Sequence, residues 1–193
     1  MRVFLRRLTA LAAFIAALWV VHLGNWMFGY PLNAALGLIP RHVAGLDGVL
    51  AMPFLHGDFG HLISNTPPLL LMGALLAATA TRALLAVNAV IILVGGGLLW
   101  LFGAAAVHIG ASGLVFGWFG FLVMRGFVDR SLITLGAAMI VGLLYGSIIW
   151  GVLPGQPGVS WEAHLFGAIA GAVAAIAIRT HVHAPRLRAV ERS

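Results

Sequence analysis

Long apolar runs separated by short polar stretches cover most of the chain. They fall near residues 8–29, 61–81, 83–102, 112–124, 131–151 and 161–178. A helix needs roughly 20 apolar residues to cross a hydrocarbon core of roughly 30 Å. The pattern therefore predicts six membrane-spanning helices and an all-α fold. The fourth run is short: the 13 steps from Ser112 to Arg125 make only about 20 Å of helix. With Arg125 at the inner membrane face, this helix starts inside the membrane, and the backbone from Gly103 to Gly110 must descend to reach it. Non-helical backbone survives at that depth only when it is buried in protein or lines a water-filled cavity. A wet pocket with Ser112 at its floor is the expectation. A second irregular stretch, the external loop over 22–55, is too long for a plain connector. Its Trp26, Phe28 and Tyr30 suit a membrane–water interface, so the loop is expected to lie partly in the outer leaflet.

Composition narrows the class further. Of the 193 residues, 62% are hydrophobic and 8% charged, against roughly 25% charged in a soluble domain. A soluble enzyme, a disordered chain and a coiled coil are excluded, and a single polytopic membrane domain over 1–193 remains. The net charge is +6, and all 11 basic residues are arginine. With the N-terminus in the cytoplasm, Arg2, Arg6, Arg7, Arg82, Arg125, Arg130, Arg179, Arg186, Arg188 and Arg192 lie inside and only Arg41 outside, as the positive-inside rule requires. Both termini are then cytoplasmic, and residues 180–193 form a cytoplasmic tail. The first apolar run is read as a retained helix rather than a cleaved signal. Cysteine is absent, which removes disulfides, thiol catalysis and thiolate metal sites.

Polar side chains inside a membrane are costly and mark function. Three runs carry them at one depth. Counting back to the Arg at the inner end of each run, His164 stands about 22 Å above Arg179, Asn65 about 25 Å above Arg82 and Ser112 about 20 Å above Arg125. His61 lies about one turn higher. Gly113 with Gly117, and Gly167 with Gly171, give small-xxx-small faces on the fourth and sixth helices, which let backbones approach closely. Ser112 is the candidate nucleophile and His164 the base that takes its proton. No carboxylate stands at that level, since Glu162 is placed on the outer rim, so a Ser–His dyad is expected rather than a triad. The backbone N–H of Ser112, aided by the helix dipole, together with His61 and Asn65, offers donors to an oxyanion. Phe116 is expected to wall the His ring. Pro67 and Pro68 are expected to kink the second helix or to start it. His22, His42, His181 and His183 are read as solvated, and His108 as structural or, alternatively, as lining the cavity.

These residues, His56-x4-His61-x3-Asn65, Gly110-x-Ser112-Gly113 and Ala163-His164-x2-Gly167-x3-Gly171, resemble the pattern of the rhomboid family of intramembrane serine proteases over Ala51 to Gly171. The resemblance implies a six-helix rhomboid-like bundle. It implies Ser112 as nucleophile, His164 as base, His61 and Asn65 in the oxyanion hole, and His56 supporting the loop structure. It further implies no metal or organic cofactor, and transmembrane-protein substrates cleaved in or near their membrane segments. The expected location is a bacterial inner membrane, with the site opening to the extracytoplasmic side and the lipid bilayer as surroundings. The loop Leu153–Gly158 reads as a turn and, by the resemblance, as part of a substrate gate. Two departures stand out: Asp47-Gly48 lies where many members carry Trp-Arg, and Phe116 where many carry Tyr.

Three rival readings fit less of the pattern. A three-His zinc site leaves Gly-x-Ser-Gly unexplained. A transporter or channel needs a polar path to the cytoplasm, and Asn88 is the only notable polar residue of the third and fifth runs. A catalytically inactive rhomboid-like binding protein would have lost the Ser or the His, and nucleic acid is not an expected partner.

Overall fold

The computed structural model describes residues 2–80 and 83–178, and every regular element among them is helical. In chain order they are α1 (Arg2–Met27), α2 (Pro31–Leu36), α3 (Gly48–Ala51), α4 (Phe59–Thr79), α5 (Leu84–Val90), α6 (Gly96–Phe102), α7 (Ser112–Asp129), α8 (Leu132–Tyr145) and α9 (Trp161–Ala177). A π-helical turn over Ile91–Gly95 joins α5 to α6 in one rod, and a 3-10 stretch over Gly146–Val152 prolongs α8. Five rods, Arg2–Met27, Phe59–Thr79, Leu84–Phe102, Ser112–Asp129 and Leu132–Val152, are long and apolar enough to cross a membrane. Helix α9 is a shorter apolar helix of 17 residues. The protein is an integral membrane protein.

Helix α7 is the axis of the bundle, packed by α9, α8 and α4. Along α4 the residues Leu62, Leu69, Met72 and Leu76 recur at helical spacing and are fully buried. They join Trp118, Phe121 and Leu122 of α7 in one apolar cluster. The α7–α9 seam is backbone against backbone. A Cβ on Gly167 would overlap the carbonyl of Gly113, one on Gly171 that of Gly117, and one on Gly120 that of Ala168. Dispersion between two backbones in contact replaces the hydrophobic drive that lipid cannot supply.

The long first loop is a folded unit. Leu38 and His108 exchange both backbone hydrogen bonds, at 3.0 and 2.8 Å, and the Gly110 N–H donates to Met52 O at 2.9 Å. Arg41 donates to the carbonyls of Leu101 and Gly103 at the end of α6, a cationic cap on orphan carbonyls. The Trp100 indole donates to His42 O. The non-helical segment between α6 and α7 is thereby clamped by the first loop, which supplies the partners such backbone needs inside a membrane.

Five expectations are corrected. Helix α1 continues to Met27, so the loop begins at residue 28 rather than 22. His22 is not solvated but buried in α1, with its ring edge-on to Phe59 at 4.6 Å. The fourth helix is not short: α7 has 18 residues, about 27 Å. Arg125 does not mark a membrane face either. It is 1% exposed, its Nε donates to Asp129 at 2.6 Å, and its guanidinium lies 5.4 Å from the Phe121 ring centre. An ion pair four residues apart let the helix carry a charge inward and continue. Finally, Pro67 and Pro68 do not start α4, which begins eight residues earlier at Phe59 and runs through both. Arg82, Arg179, Arg186, Arg188, Arg192, His181, His183 and the tail over 180–193 lie outside the described residues.

Candidate active site

Ser112 is the first residue of α7, preceded by Ala111, which provides no side-chain cap. The opening N–H groups of a helix have no intrahelical acceptor and carry the positive end of its dipole. They therefore remain available at the serine. His164 stands one turn inside α9, whose start is capped by Ser160, the hydroxyl of which accepts from the Ala163 N–H at 3.3 Å. The glycine seam sets the two helices at a distance where Ser112 Oγ and His164 Nε2 lie 2.8 Å apart.

The other ring nitrogen fixes the tautomer. His164 Nδ1 is 2.9 Å from the carbonyl oxygen of Gly151. A carbonyl only accepts, so Nδ1 carries the hydrogen and Nε2 is left with a lone pair aimed at the serine hydroxyl. The ring is held flat against Phe116, with centroids 4.0 Å apart and planes at 5°. The Gly151 carbonyl occupies the place that a carboxylate takes in a triad. It was not legible beforehand, because a backbone acceptor leaves no mark of residue type. The only signal was a glycine at a place where an added Cβ would lie 2.9 Å from Phe116 Cζ and 3.1 Å from His164 Nδ1.

His61 and Asn65 come from the first turns of α4, which Asp58 caps by accepting the His61 N–H at 2.8 Å. The His61 ring rests on the backbone of Gly110: a Cβ there would sit 2.6 Å from His61 Nε2. Gly110 also has φ +116°, a conformation L side chains seldom adopt. Only glycine meets both demands two residues before the serine. Asn65 is buried and donates one amide hydrogen to His61 O at 3.1 Å, which leaves a second amide hydrogen. His56 is fully buried, with its ring 5.0 Å from that of His61 and 6.2 Å from that of His22. Burial, reinforced by those two imidazoles, lowers its pKa to about 4, so it is neutral at physiological pH.

Ser112, His164, His61, Asn65 and Phe116 line one cavity of about 880 Å3, bounded by the 104–109 segment and by residues 157–162. Glu162 is not on an exposed rim. It is buried and accepts the Ala104 N–H at 3.2 Å. His108 lines the cavity too and is held there by bonds to Ser160 Oγ at 2.7 Å and to Ala104 O at 3.0 Å. Gly113, Gly167 and Gly171 belong to the seam rather than to the cavity wall. Among the described residues, no group of three His, Cys, Asp or Glu is arranged to hold a metal ion.

The family model described as "Rhomboid domain" matches residues 43–181. An uncharacterized protein of Mycobacterium tuberculosis strain H37Rv is 39% identical over 176 residues, covering 86% of this chain and 73% of its own. An uncharacterized protein of Mycobacterium bovis matches to the same extent. One from Mycobacterium leprae is 38% identical over 173 residues, covering 84% of this chain and 67% of its own.

Proposed function

The chain belongs to the rhomboid family, and from that premise we propose that it is an intramembrane serine endopeptidase working through a Ser112–His164 dyad. The observation that carries the reading is the pair of bonds at His164, Nε2 to Ser112 Oγ at 2.8 Å and Nδ1 to Gly151 O at 2.9 Å. They give a hydroxyl, a lone pair to receive its proton, and a fixed tautomer.

In the reaction the Ser112 oxygen bonds to the carbonyl carbon of the scissile peptide while its proton passes to His164 Nε2. The imidazolium formed is held through Nδ1–H by the Gly151 carbonyl and is backed by the Phe116 face. Negative charge on the peptide oxygen meets the Ser112 N–H, the free Asn65 amide hydrogen and the His61 ring. On collapse the carbon–nitrogen bond breaks and the leaving amine takes the proton from Nε2, leaving an acyl-serine. A water from the cavity then attacks, giving its proton to Nε2, and the acyl group departs as the acid while Ser112 recovers its hydroxyl.

In the same reading α9 is the sixth span and both termini face the cytoplasm, in the inner membrane of a bacterium. The charges support the orientation. Arg7 reaches Ala77 O near the end of α4, whereas His61 lies at the other end of that helix, about 24 Å away. The arginine-rich start of α1 and the site thus occupy opposite membrane faces, and by the positive-inside rule the site opens outward. Substrates are transmembrane proteins whose chain unwinds into the cavity.

The test is reconstitution in liposomes with a single-pass model substrate. Cleavage is expected for the wild type and loss of at least a thousandfold for Ser112→Ala and His164→Ala. Cleavage by either variant at the wild-type rate would overturn the reading.

A further inference from the structure

A second cavity, of about 340 Å3, lies between α1, α4 and α5 and shares no lining residue with the site cavity. Helix α1 packs along α4 rather than α5, and the gap left between α1 and α5 is this space. It runs from Arg7 and Leu84 at one end to Phe14 and Ile92 at the other, about 12 Å along α5. Apart from Arg7 at its end, its wall is apolar but for Asn88, whose side chain is already bonded. Asn88 donates to Leu84 O at 2.8 Å and accepts the Trp118 indole N–H at 2.8 Å. Water entering such a space would find almost nothing to bond. Ala10 and Leu85, both on the wall, are exposed on the outer surface of the bundle, so the opening faces the hydrocarbon of the bilayer.

The charge at the rim selects among lipids. Arg7 sits at the mouth, its Nη1 3.5 Å from Ala77 O, and Arg2 and Arg6 precede it in the first turns of α1. We infer that the cavity holds an acyl chain of an anionic phospholipid, with the lipid phosphate at Arg7. Arginine's fork suits phosphate oxygens, and a basic cluster at the membrane surface favours anionic headgroups. Leu114 and Trp118 of α7 form the inner wall, so the bound chain rests against the helix that carries Ser112. The inference does not depend on proteolysis.

The test uses the full chain in liposomes containing phosphatidylglycerol with a diazirine near the middle of one acyl chain, or the phosphatidylcholine analogue, with crosslinks mapped by mass spectrometry. Crosslinks from phosphatidylglycerol are expected to concentrate on residues 10–14 and 84–92. Ala10→Trp, which fills the mouth from an exposed position, should cut them at least tenfold. Arg7→Gln should weaken phosphatidylglycerol labelling about fivefold and leave phosphatidylcholine unchanged. Leu143→Trp, at an exposed position on α8, serves as the control and should change nothing. Circular dichroism and a monodisperse elution peak check that each variant is folded. Labelling spread evenly around the bundle and unaltered by Ala10→Trp would overturn the inference. Equal labelling by the two lipids with no effect of Arg7→Gln would overturn it too.

Discussion

Substituting Gly151 by alanine perturbs the site without touching any reacting group. The carbonyl that orients His164 is retained, and only a methyl is added. That methyl would start 2.9 Å from Phe116 Cζ and 3.1 Å from His164 Nδ1, where carbon contacts settle at about 3.5 Å or more. The stacked pair must retreat by about 0.5 Å or tilt. Because the rings already lie 4.0 Å apart, Phe116 cannot absorb the shift alone. The 2.8 Å bond from Ser112 to Nε2 then lengthens beyond about 3.2 Å, the outer end of effective proton-transfer geometry. Misplacement of about 1 Å costs roughly a hundredfold in rate, so kcat should fall between about ten- and a hundredfold, with KM little changed. The matched control is Gly146→Ala in the same 3-10 stretch, where an added Cβ meets nothing within 4 Å. Steady-state cleavage of a reconstituted transmembrane substrate and the rate of serine acylation by a fluorophosphonate should fall together. If Gly151→Ala matched Gly146→Ala within twofold in both assays, the orienting role of this contact would be refuted.

Three further outcomes are expected. Gly171→Ala, two turns below His164, forces α9 off the Gly117 carbonyl; thermal unfolding in detergent should report a loss of about 1–3 kcal/mol, and kcat should drop about a hundredfold. Asn65→Ala and His61→Ala should each lower kcat by about a hundredfold to a thousandfold while the acylated serine, once formed, is still detected; unchanged kcat in both would remove α4 from the oxyanion hole. His56 gives a pH signature. Its folded-state pKa of about 4 lies below the unfolded value of about 6.5, so the unfolded chain binds the proton first. The stability it contributes is intact above pH 6.5 and is lost as the pH falls towards 4, by up to about 1.4 kcal/mol per pH unit and about 3 kcal/mol in all. Denaturant midpoints between pH 7.5 and 4.5 should fall less steeply for His56→Asn than for the wild type, and parallel curves would contradict this.

The meeting of Ser112 and His164 was legible from depth counting, although one of the rulers was wrong. Arg125 turned inward to Asp129 instead of ending its helix at a membrane face. The juxtaposition held because the register of α7 on α9 is set by Gly113, Gly117, Gly167 and Gly171, whose spacing is written in the chain. Phe116 was legible in the same way, one turn from the serine. What escaped were contacts made by backbone. The Gly151 carbonyl, the Leu38–His108 pairing and the Gly110 bond to Met52 O use atoms that every residue carries, across separations no local pattern encodes. His22 was misplaced for another reason. Trp26 and Tyr30 suggested an interface, but the helix ends only where Gly29 and Tyr30 adopt positive φ. Glu162 looked like a rim residue because its acceptor role depends on where the loop at Ala104 runs.

The most direct measurement is the site and requirement of covalent modification by a fluorophosphonate in membranes. The expected result is a phosphonylated peptide bearing the adduct on Ser112, lost in His164→Ala although Ser112 is still present. Absence of an adduct from the folded wild-type protein, or an adduct on Ser112 formed equally well without His164, would contradict a serine activated by that histidine.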